Sequence, residues 1–156
     1  MERKVCVVTG SSAGIGAACA RLFASRGWNV VINYSREAGP AEAMAAECRA
    51  LGAEVLVVKA NVAEDADCRA LATAVDAKWG RCDVLVNNAG TTKFVHVKNF
   101  DGLDADDFQR IYGVNVVGAF QMVRALTPLL QENPGSGVVD ISSIAASTGL
   151  GPCLAY

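Results

Sequence analysis

The run Val5-Cys6-Val7-Val8-Thr9-Gly10-Ser11-Ser12-Ala13-Gly14-Ile15-Gly16 passes from four apolar residues straight into a loop that holds three glycines. Ile15, Cys19, Leu22 and Phe23 then repeat with the helical period, and Gly27 stands where a helix would end on a left-handed residue. The reading is strand, glycine loop, helix. Glycines let such a loop turn tightly and let a phosphate approach its backbone, while the helix start presents unpaired N–H groups and the positive end of its dipole. No Gly-Lys-Ser/Thr sequence closes the loop, which excludes the usual nucleoside-triphosphate motif.

Outward from this run, short β-rich segments alternate with helical ones. Asn29 to Ile32, Glu54 to Val58, Val84 to Asn87 and Val138 to Ile141 read as further strands. Helices are expected from Pro40 to just before Gly52, across Cys68, Leu71, Ala72, Val75 and Trp79 before Gly80, and from about Asp104 through Phe108, Ile111 and Asn115 towards Pro128. Strands that alternate with helices predict an α/β fold with a doubly wound parallel sheet. The strands are almost wholly apolar, so both sheet faces should be covered. No repeat, linker or low-complexity stretch interrupts residues 1–156, which read as a single nucleotide-binding domain.

The composition supports one domain with a core: 156 residues, 52% hydrophobic and 19% charged. A net charge of -2 without a basic block argues against nucleic acid as a partner and points to small molecules. Val5 to Val8 is too short for a signal-peptide core, and no stretch approaches the roughly 18 apolar residues of a membrane span. The expectation is a soluble cytoplasmic protein. The six cysteines have no CxxC spacing and a single histidine, His96, beside them, so they read as small reduced hydrophobes and no metal site is expected.

Five motifs in order carry a family resemblance. Thr9-Gly10-x-x-x-Gly14-Ile15-Gly16, Asn87-Asn88-Ala89-Gly90 after the fourth strand, Asn115, Ser143 and Tyr156 resemble the signatures of the classical short-chain dehydrogenases/reductases. The resemblance spans the whole chain and implies a Rossmann fold and a nicotinamide-dependent oxidoreductase. It implies Asn115, Ser143 and Tyr156 as the catalytic group. Asn115 would hold a water of a proton relay, Ser143 would bond the substrate oxygen, and Tyr156 would exchange a proton with it. A free phenol titrates near pH 10 and needs nearby positive charge to act at neutral pH. In the family that charge comes from a lysine four residues after the tyrosine and from the oxidised nicotinamide. Position 156 is the last of the sequence, so this lysine and the closing strands and helices of the family domain are expected beyond it.

The resemblance also places the cofactor on Gly10, Ser11, Ser12, Gly14, Ile15, Gly16, Tyr34, Ser35, Arg36, Asn61, Val62, Asn88, Ala89 and Gly90. No acid stands at the end of the second strand before Glu37, whereas Ser35 and Arg36 could hold a ribose 2′-phosphate, so NADP(H) is expected in preference to NAD(H). Asn-Tyr-Ser-Arg and Asn61-Val62 are most similar to the 3-oxoacyl-[acyl-carrier-protein] reductase-like branch, and the substrate would be a small carbonyl or alcohol. Gly113 and Gly118 each cost the fourth helix about 1 kcal/mol relative to Ala, which suggests a close helix contact. In the family that helix is a common subunit interface, so a homodimer or homotetramer is expected. Lys93, His96 and Lys98 read as a solvated loop. The alternative is a non-catalytic dinucleotide-binding or regulatory protein, or an inactive fragment without the motif lysine.

Overall fold

The computed structural model describes residues 3–156. The apolar runs form β1 (Val5–Val8), β2 (Asn29–Tyr34), β3 (Val55–Lys59), β4 (Val84–Asn87) and β5 (Gly137–Asp140), joined in one sheet of order β3-β2-β1-β4-β5. All neighbouring strands are parallel, so each connection crosses the sheet on a helix. These are α1 (Gly14–Ser25), α2 (Ala38–Ala50) and α3 (Asp65–Trp79), then a long helix made of α4 (Ala105–Tyr112), a wide π turn (Gly113–Val117) and α5 (Gly118–Gln131). A 3₁₀ turn at Phe100–Gly102 precedes α4, and the short α6 (Ala145–Thr148) follows β5. The doubly wound Rossmann architecture is the one the alternation of strands and helices implied. β2 runs two residues further than its apolar pattern because the ladder continues through Asn33↔Val58 and Tyr34↔Lys59 after the side chains turn polar.

Alternate residues of the strands serve opposite faces. Val5, Val7, Val31 and Leu85 pack with Leu71 and Val75 of α3 and Met122 and Leu126 of α5. Val30 and Ile32 pack with Ala20, Ala24, Ala41 and Met44 of α1 and α2, and Cys6, Val8 and Val86 close the same side with Phe23 and Trp28. Each Val, Leu, Ile or Met among them contributes about 1.5–3 kcal/mol on burial. β5 is the edge strand of the described sheet, and its Val138 and Val139 are exposed.

The helix Ala105–Gln131 differs from expectation in three ways. It continues past Pro128 to Gln131. It opens into a π turn at Gly113–Val117, where Gly118 N–H donates to the Gly113 carbonyl five residues back. One glycine and three valines give this stretch low helix propensity, and Asn115 within it is held by bonds to Thr91 outside the helix. It is also, among the described residues, one helix of 27 residues with a mean hydropathy of 1.2 in its best window, long and apolar enough to cross a membrane, where the sequence suggested none. Its Ile111, Met122, Leu126, Leu129 and Leu130 are nonetheless buried in the fold, with α5 packed on α3, β4 and β5.

Candidate active site

The order β2-β1-β4 makes β1 the switch point of the winding, and the crevice at the carboxyl ends of these strands is where open parallel sheets take their ligands. The glycine loop lies there and is braced from three sides. Gly10 has φ +61°, and a Cβ on it would lie 2.9 Å from the Ala89 Cα. Its N–H donates to Asn33 Oδ1 at 3.0 Å, while the Asn33 amide donates to the Ala60 carbonyl, so one buried asparagine ties the loop to the end of β3. Ser11 is fully buried: its hydroxyl donates to the Val8 carbonyl and accepts from Asn33 N–H. Its side chain is therefore spent inside the loop, contrary to the expectation of a cofactor ligand. Gly16 passes so close to Asn88 that a Cβ would stand 2.3 Å from Nδ2. At the start of α1, Ala13 is the cap and no side chain bonds the first N–H groups, nor does an acid stand in the first turn. These N–H groups and the positive dipole end face the crevice unneutralised, the electrostatic arrangement a diphosphate requires.

Thr9 and Asn88 lock this loop to β4. The Thr9 hydroxyl accepts from Asn88 N–H at 2.9 Å and Ala89 N–H at 3.0 Å, and the Asn88 amide donates to the Thr9 and Gly10 carbonyls. Beyond Gly90, Asn115 clasps Thr91 reciprocally: Oδ1 accepts from Thr91 N–H at 2.8 Å and Nδ2 donates to the Thr91 carbonyl at 3.0 Å. The π turn and this clasp belong together, since the widened turn carries Asn115 across to the strand end. Arg110, one turn earlier, donates to Thr91 Oγ1 at 3.1 Å and to Asp107 Oδ1 at 3.1 Å. Asp107 also accepts from Lys93 Nζ at 2.5 Å and closes a reciprocal capping box with Asp104. Lys93 is thus half of an ion pair, not a freely solvated loop residue. Hydrogen bonding to Lys93, helped by Arg110 and Asp104 N–H against the cost of burial, lowers the Asp107 pKa to about 2.

Two cavities meet along this strand-end ridge. The wider, about 1080 Å³, is lined by Ile15, Asn88 to Thr91, Asn115, Ser143 and Tyr156, so it brings together all three expected catalytic residues. Ser143 Oγ accepts from Ala145 N–H at 3.2 Å at the start of α6, which leaves its proton free to be donated. Asn87 also lines this cavity: its amide donates to Asp140 Oδ1 at 2.9 Å, but its buried Oδ1 has no partner among the described residues. The smaller cavity, about 450 Å³, is lined by Gly10, Ser35, Arg36, Asn61, Val62 and Val114 among others. Tyr34 lies outside both cavities and packs in the cluster beneath α2, and Ser12 and Gly14 line neither. Asn61 closes a turn through Oδ1 to Ala63 N–H, and Val62 is pressed by Gly118, whose added Cβ would lie 2.6 Å from Val62 Cγ2. The close contact that Gly118 serves is therefore the one with Val62 of the same chain, whereas Gly113 meets Ala63 Cβ at 3.8 Å.

The short chain dehydrogenase family profile matches residues 4–156. The chain belongs to the short-chain dehydrogenase family. It is 35% identical over 149 residues to a 3-oxoacyl-[acyl-carrier-protein] reductase of Synechocystis, covering 96% of this chain and 59% of that protein. Among solved structures, a Burkholderia xenovorans protein described as a short-chain dehydrogenase/reductase superposes with a TM-score of 0.96 at 42% identity, over 100% of this chain and 66% of that one. A Burkholderia cenocepacia short chain dehydrogenase in complex with NADP matches with a TM-score of 0.86 at 33% identity, over 93% and 57%. The chain spans about three fifths of the length of the curated relatives it matches.

Within this short-chain dehydrogenase, sequence reasoning found the glycines and the residues of the wide cavity but missed their braces: Thr9, Asn33 and the Lys93, Asp107 and Arg110 network. Thr9 and Asn33 carry a signal in retrospect, being polar residues at the ends of otherwise apolar strands. The Asp107–Arg110 pair carries one too, an acid and a base three residues apart on an expected helix; Lys93, 14 residues before Asp107, had none, because it meets the pair only when the β4 loop folds over α4. Cys153 also departs from the uniform reading of the cysteines. Burial pushes its thiol up, but Thr92 Oγ1 at 3.8 Å and the N–H groups of Ala155, Lys93 and Tyr156 outweigh that and hold it below the ordinary range. Burial raises Cys48 and Cys6, and takes Cys68 to about 11 and Cys82 to about 12.

Proposed function

We propose that the protein is an NADP(H)-preferring oxidoreductase that interconverts a carbonyl and a secondary alcohol. One observation carries the reading: the cavity that holds Ser143 and Tyr156 adjoins, across Asn88 to Thr91, a second cavity that runs from the glycine loop to Ser35 and Arg36. The residues fit a dinucleotide. The open start of α1 suits its diphosphate, and Val62 and Val114 offer apolar walls for its purine. Arg36 has no hydrogen bond or ion pair among the described residues, so its charge is available for a 2′-phosphate. Asn61, Asn88, Ala89 and Gly90 complete the lining. The bound nicotinamide supplies or accepts the hydride. Ser143 donates a hydrogen bond to the substrate oxygen and keeps its proton, while Tyr156 passes the one proton to that oxygen or takes it back. Asn115 holds the loop between the two cavities through Thr91, and its relay role rests on the family resemblance.

The substrate class is that of the 3-oxoacyl reductase-like branch, a carbonyl beside an extended apolar chain, in keeping with Phe94, Leu150 and Pro152 at the wide cavity. A homodimer or homotetramer is supported by Phe108, Tyr112, Val116 and Phe120, spaced by four along one exposed side of the long helix. The test is NADPH oxidation by the full-length protein over a panel of carbonyl substrates. Tyr156→Phe keeps the ring but removes the titrating hydroxyl, so turnover should fall at least ~100-fold with NADPH still bound. Near-normal turnover in that variant would mean the proton comes from elsewhere, and NADPH binding with no turnover on any substrate would favour the non-catalytic reading.

A further inference from the structure

We propose that Arg110 is a nucleotide-contacting residue, a fixed guanidinium at the adenosine end of the cofactor that acts separately from Arg36. The inference rests on the reading of the smaller cavity as the nucleotide site. Arg110 lines that cavity together with Arg36, Asn61, Val62 and Val114. Its position is set by two bonds on different sides: NH1 to Thr91 Oγ1 and NH2 to Asp107 Oδ1, both 3.1 Å. Asp107 cannot swing away, because Lys93 and the capping box hold its carboxylate. A guanidinium has five N–H donors in one plane. Two are engaged here, and the rest remain for acceptors on the purine edge or for stacking against its face. Val62 and Val114 offer the same cavity only apolar surface, so a directional donor at its rim supplies what those walls lack.

The two arginines differ in what they reach, and that sets the test. Arg36 has no counter-ion among the described residues, so it discriminates a 2′-phosphate by net charge and its effect is screened by salt. Arg110 shares the single charge of Asp107 with Lys93, so this trio keeps one net positive charge, and what Arg110 adds to it is a set of directed N–H donors. It therefore affects NADPH, NADH and AMP alike, because all three carry the adenosine, whereas Arg36 acts on the 2′-phosphate of NADPH.

The experiment is titration of the full-length protein with NADPH, NADH and AMP at low and high salt, for the unmodified protein, Arg110→Met, Arg110→Lys and Thr91→Val. Arg110→Met should raise all three Kd values about tenfold at low salt, a factor in keeping with one lost charge-assisted bond. Thr91→Val removes one tether but keeps the guanidinium and should cost about threefold or less. Three outcomes overturn the proposal: Kd values within twofold of the unmodified protein in Arg110→Met, a loss confined to NADPH, or a loss in Thr91→Val equal to that of Arg110→Met. If Arg110→Met does not fold, Arg110→Lys decides, since it preserves the pairing with Asp107 but not the planar fork; full affinity in that variant overturns the proposal. An unmodified protein that binds none of the three would instead sink the nucleotide reading itself, which that titration shows on its own.

Discussion

Two glycines in one helix should answer the same substitution with opposite signs. Replacing glycine by alanine inside a helix gains about 1 kcal/mol from backbone entropy. At Gly113 nothing opposes that gain: φ is -56°, already helical, and the nearest atom to an added Cβ is Ala63 Cβ at 3.8 Å, ordinary contact. Gly118 has a similar backbone, φ -60°, but its Cβ would stand 2.6 Å from Val62 Cγ2, 3.0 Å from Val62 Cβ and 3.2 Å from the Val62 carbonyl carbon. Valine is stiff at χ1 and 4% exposed, so it cannot swing aside, and overpacking of this kind costs about 1–3 kcal/mol. The overlap wins by about 1 kcal/mol. Urea denaturation of the full-length protein should therefore place Gly113→Ala above the unmodified protein and Gly118→Ala below it, with the slope unchanged. Val62→Ala should remove most of the penalty of Gly118→Ala, giving a coupling energy of similar size. Because Val62 lines both cavities, Gly118→Ala should also weaken NADPH binding. A Gly118→Ala protein as stable as the unmodified one, with no coupling to Val62, would refute the reasoning.

Other substitutions probe the site directly. With no acid at the end of β2 and Arg36 unpaired among the described residues, Arg36→Asp should invert the preference so that NADH binds more tightly than NADPH; NADH already tighter in the unmodified protein would remove the premise. Asn115→Ala would leave the Thr91 N–H and carbonyl without their partners at about 1–3 kcal/mol each in a half-buried setting, and hydrogen exchange at Thr91 should rise sharply against the unmodified protein. Asp107 has a folded pKa of about 2, below its ordinary 3.8, so its contribution to stability is complete above about pH 4 and is lost as pH falls through 2. The stability gap between the unmodified protein and Asp107→Asn should accordingly close between those pH values; a gap that closes near pH 6 would contradict the assigned network. Mild alkylation of the folded protein near pH 7 should mark Cys153 before Cys6, Cys48, Cys68 and Cys82, as peptide mapping would show.

The fold was legible because one short-range pattern recurs four times, an apolar strand followed by a helix with its own period, and a fifth apolar strand closes the series. Local signals also located Gly10, which needs its positive φ; Asn88, Ser143 and Tyr156 were named by the family resemblance, and the structure places all three on the wide cavity. What stayed hidden depends on contacts between segments far apart in sequence. The resemblance puts Ser11 among the cofactor-binding residues, yet Val8 and Asn33, 3 and 22 residues away, claim its hydroxyl. The resemblance gives Asn115 a relay water to hold, and nothing in its helix stripe announces the reciprocal clasp on Thr91, 24 residues earlier, beside which the helix opens into a π turn. The two cases share a cause. A glycine loop and a strand end have little side-chain mass with which to pack, so their positions must be fixed by hydrogen bonds, and each bond consumes a polar side chain that local reading would assign to a ligand. Thr9, Asn33, Asn88 and Asn115 all serve in this way, and their combined effect is that Gly10, Ala89 and Gly90 present backbone to the crevice at fixed positions. A backbone held in place before the ligand arrives loses little further freedom on binding. On the proposed function, specificity then falls to the few polar groups left unspent at the two cavities, among them N–H donors of Arg36 and Arg110 and the Ser143 and Tyr156 hydroxyls.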